Sequence, residues 1–223
     1  MNALLQEGWL SRCAPDFQQA ALEAGRERSF VAKEFVYHLS DPPAGIFGVV
    51  SGAFGLIGAP EGSEPRLGHL VRAGGWFGEG PLLTGEPRRL AAQARAAGTV
   101  IALPLDAINA LCAAKPAWHR HFAALAFENL SVAISIVTDL QLRRSEARLA
   151  AAVLRAAGRT VLSPRRKPMP LPLGQGELGE MANVSRQVVN ATLRQWQRAG
   201  WIRVRYGEVV VNDVAALLAR TAD

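Results

Sequence analysis

The stretch ANVSRQVVNATLRQWQRAGWI, residues 182–202, sets apolar residues at helical spacing on one side and Arg186, Gln187, Asn190 and Arg194 on the other. Ser185 is suited to cap the helix that follows, because its hydroxyl accepts a hydrogen bond from a first-turn N–H that has no partner inside the helix. Asn183 falls where the chain must change direction, and asparagine tolerates a left-handed backbone better than most residues. GELGEM, 176–181, is expected to end one short helix, and 186–199 to form a second. Leu178, Val184, Val189 and Leu193 would pin the two together, which is helix-turn-helix spacing.

The next segment, WIRVRYGEVVVND (201–213), alternates apolar and polar residues around Tyr206-Gly207-Glu208, the pattern of a hairpin. Two helices and a hairpin make a winged helix-turn-helix. In such motifs the first turns of the second helix enter the major groove, where Arg186 can pair with guanine and Gln187 or Asn190 with adenine. Arg194, Arg198, Arg203 and Arg205 are candidate phosphate contacts, and Ser185 at the start of the second helix is a further candidate DNA contact. Charge agrees: residues 1–142 hold 11 Lys and Arg against 13 Asp and Glu, whereas 143–223 hold 14 against 6, so the whole excess of the +6 chain lies in its last third. Such asymmetry points to a polyanion as the partner of that part, and duplex DNA fits it. The bland alternatives are a solvated face on an unrelated helical hairpin, or a basic module that acts only through protein contacts.

Upstream, 118–148 contains neither Gly nor Pro and predicts one helix of about 30 residues, roughly 45 Å long. Its apolar residues form two seams, Phe122, Leu125, Val132 and Ile136 on one and Phe127, Leu130, Ile134 and Val137 on the other. One seam can cover the body of the protein; the other calls for a matching helix from a second copy around a two-fold axis. From 29 to 103, short apolar runs such as IFGVV and FGLIG alternate with Gly/Pro turns, as in a compact antiparallel roll. Residues 2–25 suggest short helices interrupted at Pro15, PLDAINALCAAKP a short helix closed by Pro116, and 151–158 a helix ending at Gly158 before a Pro-rich basic connection. The expected architecture is therefore α+β: an N-terminal jelly-roll-like domain (1–115), a long dimerisation helix (116–143) and a C-terminal winged helix-turn-helix domain (144–223).

Several classes drop out on composition. With 49% hydrophobic and 20% charged residues the chain is ordinary globular protein. It shows no run of eighteen apolar residues and no charged leader before an apolar stretch, so neither a membrane span nor a signal peptide is indicated, and a cytoplasmic location is expected. Cys13 and Cys112 cannot supply the four thiolates of an iron–sulfur cluster, and a disulfide is not expected. There is no nucleophile elbow, no clustered His/Cys metal spacing and no phosphate-binding glycine loop before a helix, so an enzyme is not expected. The glycines of GGWFGEG, 74–80, fit tight turns.

The segment from Leu173 to Val211, together with IFGVVSG and GGWFGE, resembles the Crp/Fnr family of bacterial transcription regulators over almost the whole chain. The resemblance implies a homodimer on a two-fold symmetric operator with half-sites about one helical turn, ~34 Å, apart, and RNA polymerase as a further partner. It also implies an effector site in the roll. In relatives that bind cyclic AMP a Gly-Glu pair holds the ribose and an Arg-Ser pair ten residues on holds the phosphate. Gly78-Glu79 matches the first pair, and the spacing points to Arg89, beside Arg88, for the second. Leu90 stands where the serine would be, and Ala133 and Ile134 stand on the long helix where relatives place hydroxyls against adenine. A pocket without those hydrogen-bonding groups argues against cyclic AMP. Haem is the alternative sensing group, with His38, His69, His119 and His121 as candidate ligands. The oxygen-sensing branch prefers Glu where Gln187 stands and Arg where Ala191 stands, so its operator does not carry over.

Overall fold

The computed structural model describes residues 2–59, 62–158 and 170–222. The chain divides into two compact units, Met1–Pro65 with Leu70–Leu130, and Arg66–His69 with Ser131–Asp223.

The first unit opens with α1 (Asn2–Gln6), a 3-10 turn at Leu10–Arg12 and α2 (Pro15–Ala24). Pro15 occupies the first turn of α2, where its missing N–H is harmless. An antiparallel sheet follows: β1 (Arg26–Phe30), β2 (Phe35–Tyr37), β3 (Gly45–Gly58), β4 (Arg66–Arg72) and β5 (Trp76–Phe77), then, after the single turn of α3 (Gly80–Thr84), β6 (Ala91–Pro104). The strand order is β1-β6-β3-β4, with β2 on β6 and β5 on β3. IFGVV and FGLIG, two runs in the sequence, are one strand of 14 residues here. Register shifts between Val49 and Phe54 bend it instead of ending it. The inward residues of the sheet, among them Phe30, Tyr37, Phe47, Phe54, Phe77 and Val100, form one apolar cluster. A second cluster joins Leu4, Trp9, Phe17, Trp76, Ile108 and Cys112 to Phe122 and Leu125. It includes α4 (Leu105–Ala114) and the start of α5 (His119–Leu140).

The helix expected over 118–148 is two helices. α5 ends at Leu140, and α6 (Ser145–Ala156) begins after Arg144 adopts extended backbone at φ −79°, ψ 127°. The last turn of α5 tightens as Gln141 and Leu142 N–H groups reach back only three residues, to Thr138 and Asp139. α6 then buries nine of its twelve residues, a degree of enclosure that a straight continuation of α5 would not give it. α5 keeps its two seams distinct. Phe122 and Leu125 are buried and Val132 and Ile136 half-buried, while Phe127, Leu130, Ile134 and Val137 remain 69, 54, 56 and 57% exposed. A window within Pro116–Leu140 reaches a mean hydropathy of 1.4, apolar enough to cross a membrane by length and composition.

The second unit continues through α7 (Gln175–Ala182), α8 (Arg186–Arg198), β7 (Ile202–Arg205), β8 (Glu208–Val211) and α9 (Val214–Leu218). β7 and β8 pair antiparallel, and Leu171 adds a bridge to Val209 through bonds of 2.8 and 3.0 Å. The greater part of the Pro-rich basic connection, 159–169, lies outside the described residues.

Candidate nucleic-acid interface and effector residues

The two helices of the winged unit meet through a built turn. Asn183 takes the left-handed conformation (φ 50°, ψ 53°), and the Val184 N–H returns to the Gly179 carbonyl at 3.0 Å. Gly179 must lack a side chain, because a Cβ there would lie 2.8 Å from the Val184 carbonyl oxygen. The Ser185 hydroxyl accepts from the Val188 N–H at 3.3 Å, a cap contributing about 1 kcal/mol. At the other end, the Glu177 carboxylate accepts from the Gly174 N–H at 2.6 Å. Leu178, Val189, Leu193 and Trp196 are buried, so α8 is fixed in rotation.

That rotation leaves Arg186, Gln187, Ala191, Arg194, Gln195 and Arg198 exposed. Asn190 differs from the expectation. It is half-buried, and its amide donates to Gln175 Oε1 at 3.1 Å, tying α8 to the start of α7. Arg203 and Arg205 are both exposed on β7, but Arg205 lies 3.8 Å from Glu208, which offsets its charge. Two hydrogen bonds here, from Val204 to Gln197 and from Trp196 to Glu146, escape a sequence reading. Gln197 Oε1 accepts the Val204 N–H at 3.0 Å, fastening the wing to the exposed helix, and Tyr206 at the wing tip is fully exposed. The Trp196 indole donates to Glu146 Oε1 at 3.0 Å, across 50 residues of chain.

In the roll, the spacing argument points to Arg89, but the neighbouring arginine turns inward. Arg88 is 3% exposed. Its Nη1 donates to the Gly78 carbonyl at 2.7 Å, its Nη2 to the Gly45 carbonyl at 2.8 Å, and the guanidinium lies 4.1 Å from the Tyr37 ring centroid. Arg89 has 84% of its side chain in solvent and pairs with Glu86 at 2.6 Å. The backbone explains the choice: Ser40 and Asp41 hold residue 88 through two bonds of 2.8 Å, which sets the side chain of 88 towards the interior. Gly78 sits at φ +94°, backbone that favours glycine, and a Cβ there would lie 2.8 Å from Arg88 Nη1.

Glu79 lies beside this arginine. Burial raises its carboxyl above the usual range, opposed by backbone N–H groups, Asn129 and Arg88. Burial likewise lowers the Arg88 pKa, against the pull of Tyr37, Glu79 and Asp41. A phosphate is gripped best by two parallel guanidinium N–H groups. Each terminal nitrogen of Arg88 gives one N–H to a carbonyl, and Nε has no partner among the described residues. Leu90 is 42% exposed and apolar, and Ala133 and Ile134 are exposed on α5.

The histidines are scattered. His38 is exposed and stacked on Phe35, His69 is half-buried on β4, His119 faces the Pro116 carbonyl at 2.9 Å, and His121 stacks on Phe17 at 4.4 Å. Among the described residues no group of three or more His, Cys, Asp or Glu converges as a metal site. Cys13 and Cys112 are buried free thiols.

The cyclic nucleotide-binding domain model matches residues 27–115, and the Crp-like helix-turn-helix domain model matches residues 147–220. Solved structures that share the fold include the following three. FixK2 from Bradyrhizobium japonicum is 19% identical, with a TM-score of 0.74 over 89% of this chain and 98% of its own. A CRP/FNR-family transcriptional regulator from Thermus thermophilus is 25% identical, with a TM-score of 0.67 over 89% and 99%. A CooA mutant from Carboxydothermus hydrogenoformans is 22% identical, with a TM-score of 0.63 over 90% and 89%. No curated protein matches the sequence. A cyclic-nucleotide-binding-type roll followed by a winged helix-turn-helix defines a DNA-binding transcription regulator with an effector-sensing domain. The chain belongs to the Crp/Fnr family of such regulators.

Proposed function

We propose that the chain acts as a homodimer on a two-fold symmetric operator, with Arg186 and Gln187 reading base edges and Arg194, Arg198 and Arg203 holding phosphates. The observation that carries this reading is the rotation of α8: Val189, Leu193 and Trp196 fill the interior, and the cations and amides of its first turns are left to solvent beside the Ser185 cap. Asn190 belongs to the helix–helix contact, and Arg205 is a weaker phosphate contact than Arg203 because of Glu208. The exposed seam of α5 supports dimerisation through 116–143, flanked by a sensor domain to 115 and a DNA-binding domain from 144. In a DNA-binding regulator that apolar helix serves a partner subunit in the cytoplasm, not a bilayer. The effector is read as one other than cyclic AMP, since Leu90, Ala133 and Ile134 offer no hydrogen bond where its known binders place hydroxyls. Family likeness extends the partners to RNA polymerase and makes the protein a regulator and not an enzyme.

Binding to an operator selected from random duplex tests the interface. Arg186→Ala should weaken specific binding by about 1–3 kcal/mol and relax preference at one base pair, while Arg203→Ala should weaken all sequences alike and lower the salt slope by about 1. Unchanged specific binding by Arg186→Ala refutes the assignment.

A further inference from the structure

One guanidinium joins the end of α5 to the turn of the helix-turn-helix. Arg148, in the first turns of α6, donates through Nη1 to the Leu142 carbonyl at 2.8 Å and the Arg143 carbonyl at 3.1 Å, both just past the end of α5. Its Nε donates to the Ala182 carbonyl at 3.2 Å, and its Nη2 reaches the Asn183 carbonyl at 3.5 Å, the outer limit of such a bond. Ala182 and Asn183 are the last residue of α7 and the left-handed corner that aims α8. Every nitrogen of the side chain is thereby used, on four backbone acceptors from two places in the chain. The cation also lies where the carbonyl end of α5 concentrates negative partial charge. Two turns further along α6, Arg155 forms a buried ion pair with Asp139 of α5, a second tie between the same two helices.

We propose that Arg148 is a positioning residue that fixes the angle of the recognition helix to α5 and, through it, the operator half-site spacing that the protein accepts. The proposal rests on the dimer reading, in which two α5 helices pack together and each carries one recognition helix. With both ends of the angle held by one planar fork, the two recognition helices keep a set separation. Lysine cannot replace it, because a single ammonium presents its donors from one point and cannot span four acceptors arranged around a plane.

The test uses the full-length protein and a selected operator whose half-sites are moved apart or together by one to three base pairs. Wild type should prefer one spacing by about tenfold or more, a difference of ~1.4 kcal/mol. Arg148→Met should lower that discrimination to about threefold or less while binding to a single half-site and to random duplex stays within about twofold. A merely structural residue would lower all three affinities together. Arg148→Met with wild-type spacing discrimination overturns the proposal, as does a parallel loss on every duplex. Should Arg148→Met fail to fold, Arg148→Lys decides: discrimination of about threefold or less supports the clamp, and wild-type discrimination refutes it. A wild-type protein indifferent to spacing would instead refute the dimer reading, and the proposal with it.

Discussion

The exposed seam of α5 can be tested by truncating two of its residues together. Phe127 and Ile134 keep 69 and 56% of their surface. Complete burial of such a side chain stabilises by about 1.5–3 kcal/mol, so covering the part still exposed is worth roughly 1–1.5 kcal/mol each. A two-fold axis counts every substitution twice. Phe127→Ala with Ile134→Ala should therefore weaken dimerisation by about 4–6 kcal/mol, or roughly a thousandfold to ten-thousandfold. Alanine has the higher helix propensity, so the helix itself should persist in the monomer. Sedimentation equilibrium across a concentration series measures the constant, and far-ultraviolet circular dichroism checks that helicity is retained. A variant with intact helicity whose dimerisation constant moves less than about tenfold would refute the assignment of this seam to the subunit contact.

Three further outcomes follow from the packing. Trp196→Phe should destabilise the C-terminal unit by about 1 kcal/mol, because Glu146 keeps Arg144 at 3.1 Å, whereas Trp196→Ala should take about 3–5 kcal/mol, as read from urea midpoints; equal losses would mean that the indole hydrogen bond, not its volume, matters. Burial pushes the Cys13 thiol up to about 12, with Glu128 adding and Arg12 opposing, and burial raises Cys112 as well. Iodoacetamide at pH 8 should thus leave both unmodified in the native protein and alkylate both in denaturant, since only about one Cys13 in ten thousand is then ionised; rapid native labelling seen by mass spectrometry would contradict the burial. Burial, with help from Arg120 and against Asp16, lowers the His121 pKa. The unfolded chain then binds the proton more readily, so this contribution is complete above the unfolded pKa of about 6.5 and is lost as pH falls below it. His121→Gln should flatten the melting-temperature profile between about pH 7.5 and 5.5, and a variant with the wild-type slope would remove His121 from the account.

Arg88 and Arg89 mark one boundary of what the sequence discloses. Ten residues from Glu79 lead to Arg89, yet the backbone bonds of Ser40 and Asp41 set Arg88 inward and leave Arg89 in solvent. Counting along the chain cannot give this, because which of two adjacent side chains faces the interior depends on a register shared with residues more than forty positions away. Asn190 shows the same limit on a helix. Its position on the wheel is legible, but its bond to Gln175 depends on how α7 lies beside it. The break after Leu140 was hidden as well: no Gly or Pro marks it, and the stop comes from α6 being drawn into a buried position by contacts such as Arg148 and Arg155.

The sequence by itself determined the elements of the winged motif, its Ser185 cap, its Asn183 corner, the two seams of α5 and the alternating strands of the roll. Each follows from interactions among residues a few places apart, where hydrogen bonding and hydrophobic period act within a single turn or strand. Only the tertiary structure decided which arginine enters the roll, where the long helix ends, and that Arg148 gathers carbonyls from two distant segments. Those outcomes depend on which surfaces meet, and a side chain's partners across dozens of residues are set by packing that no local period records.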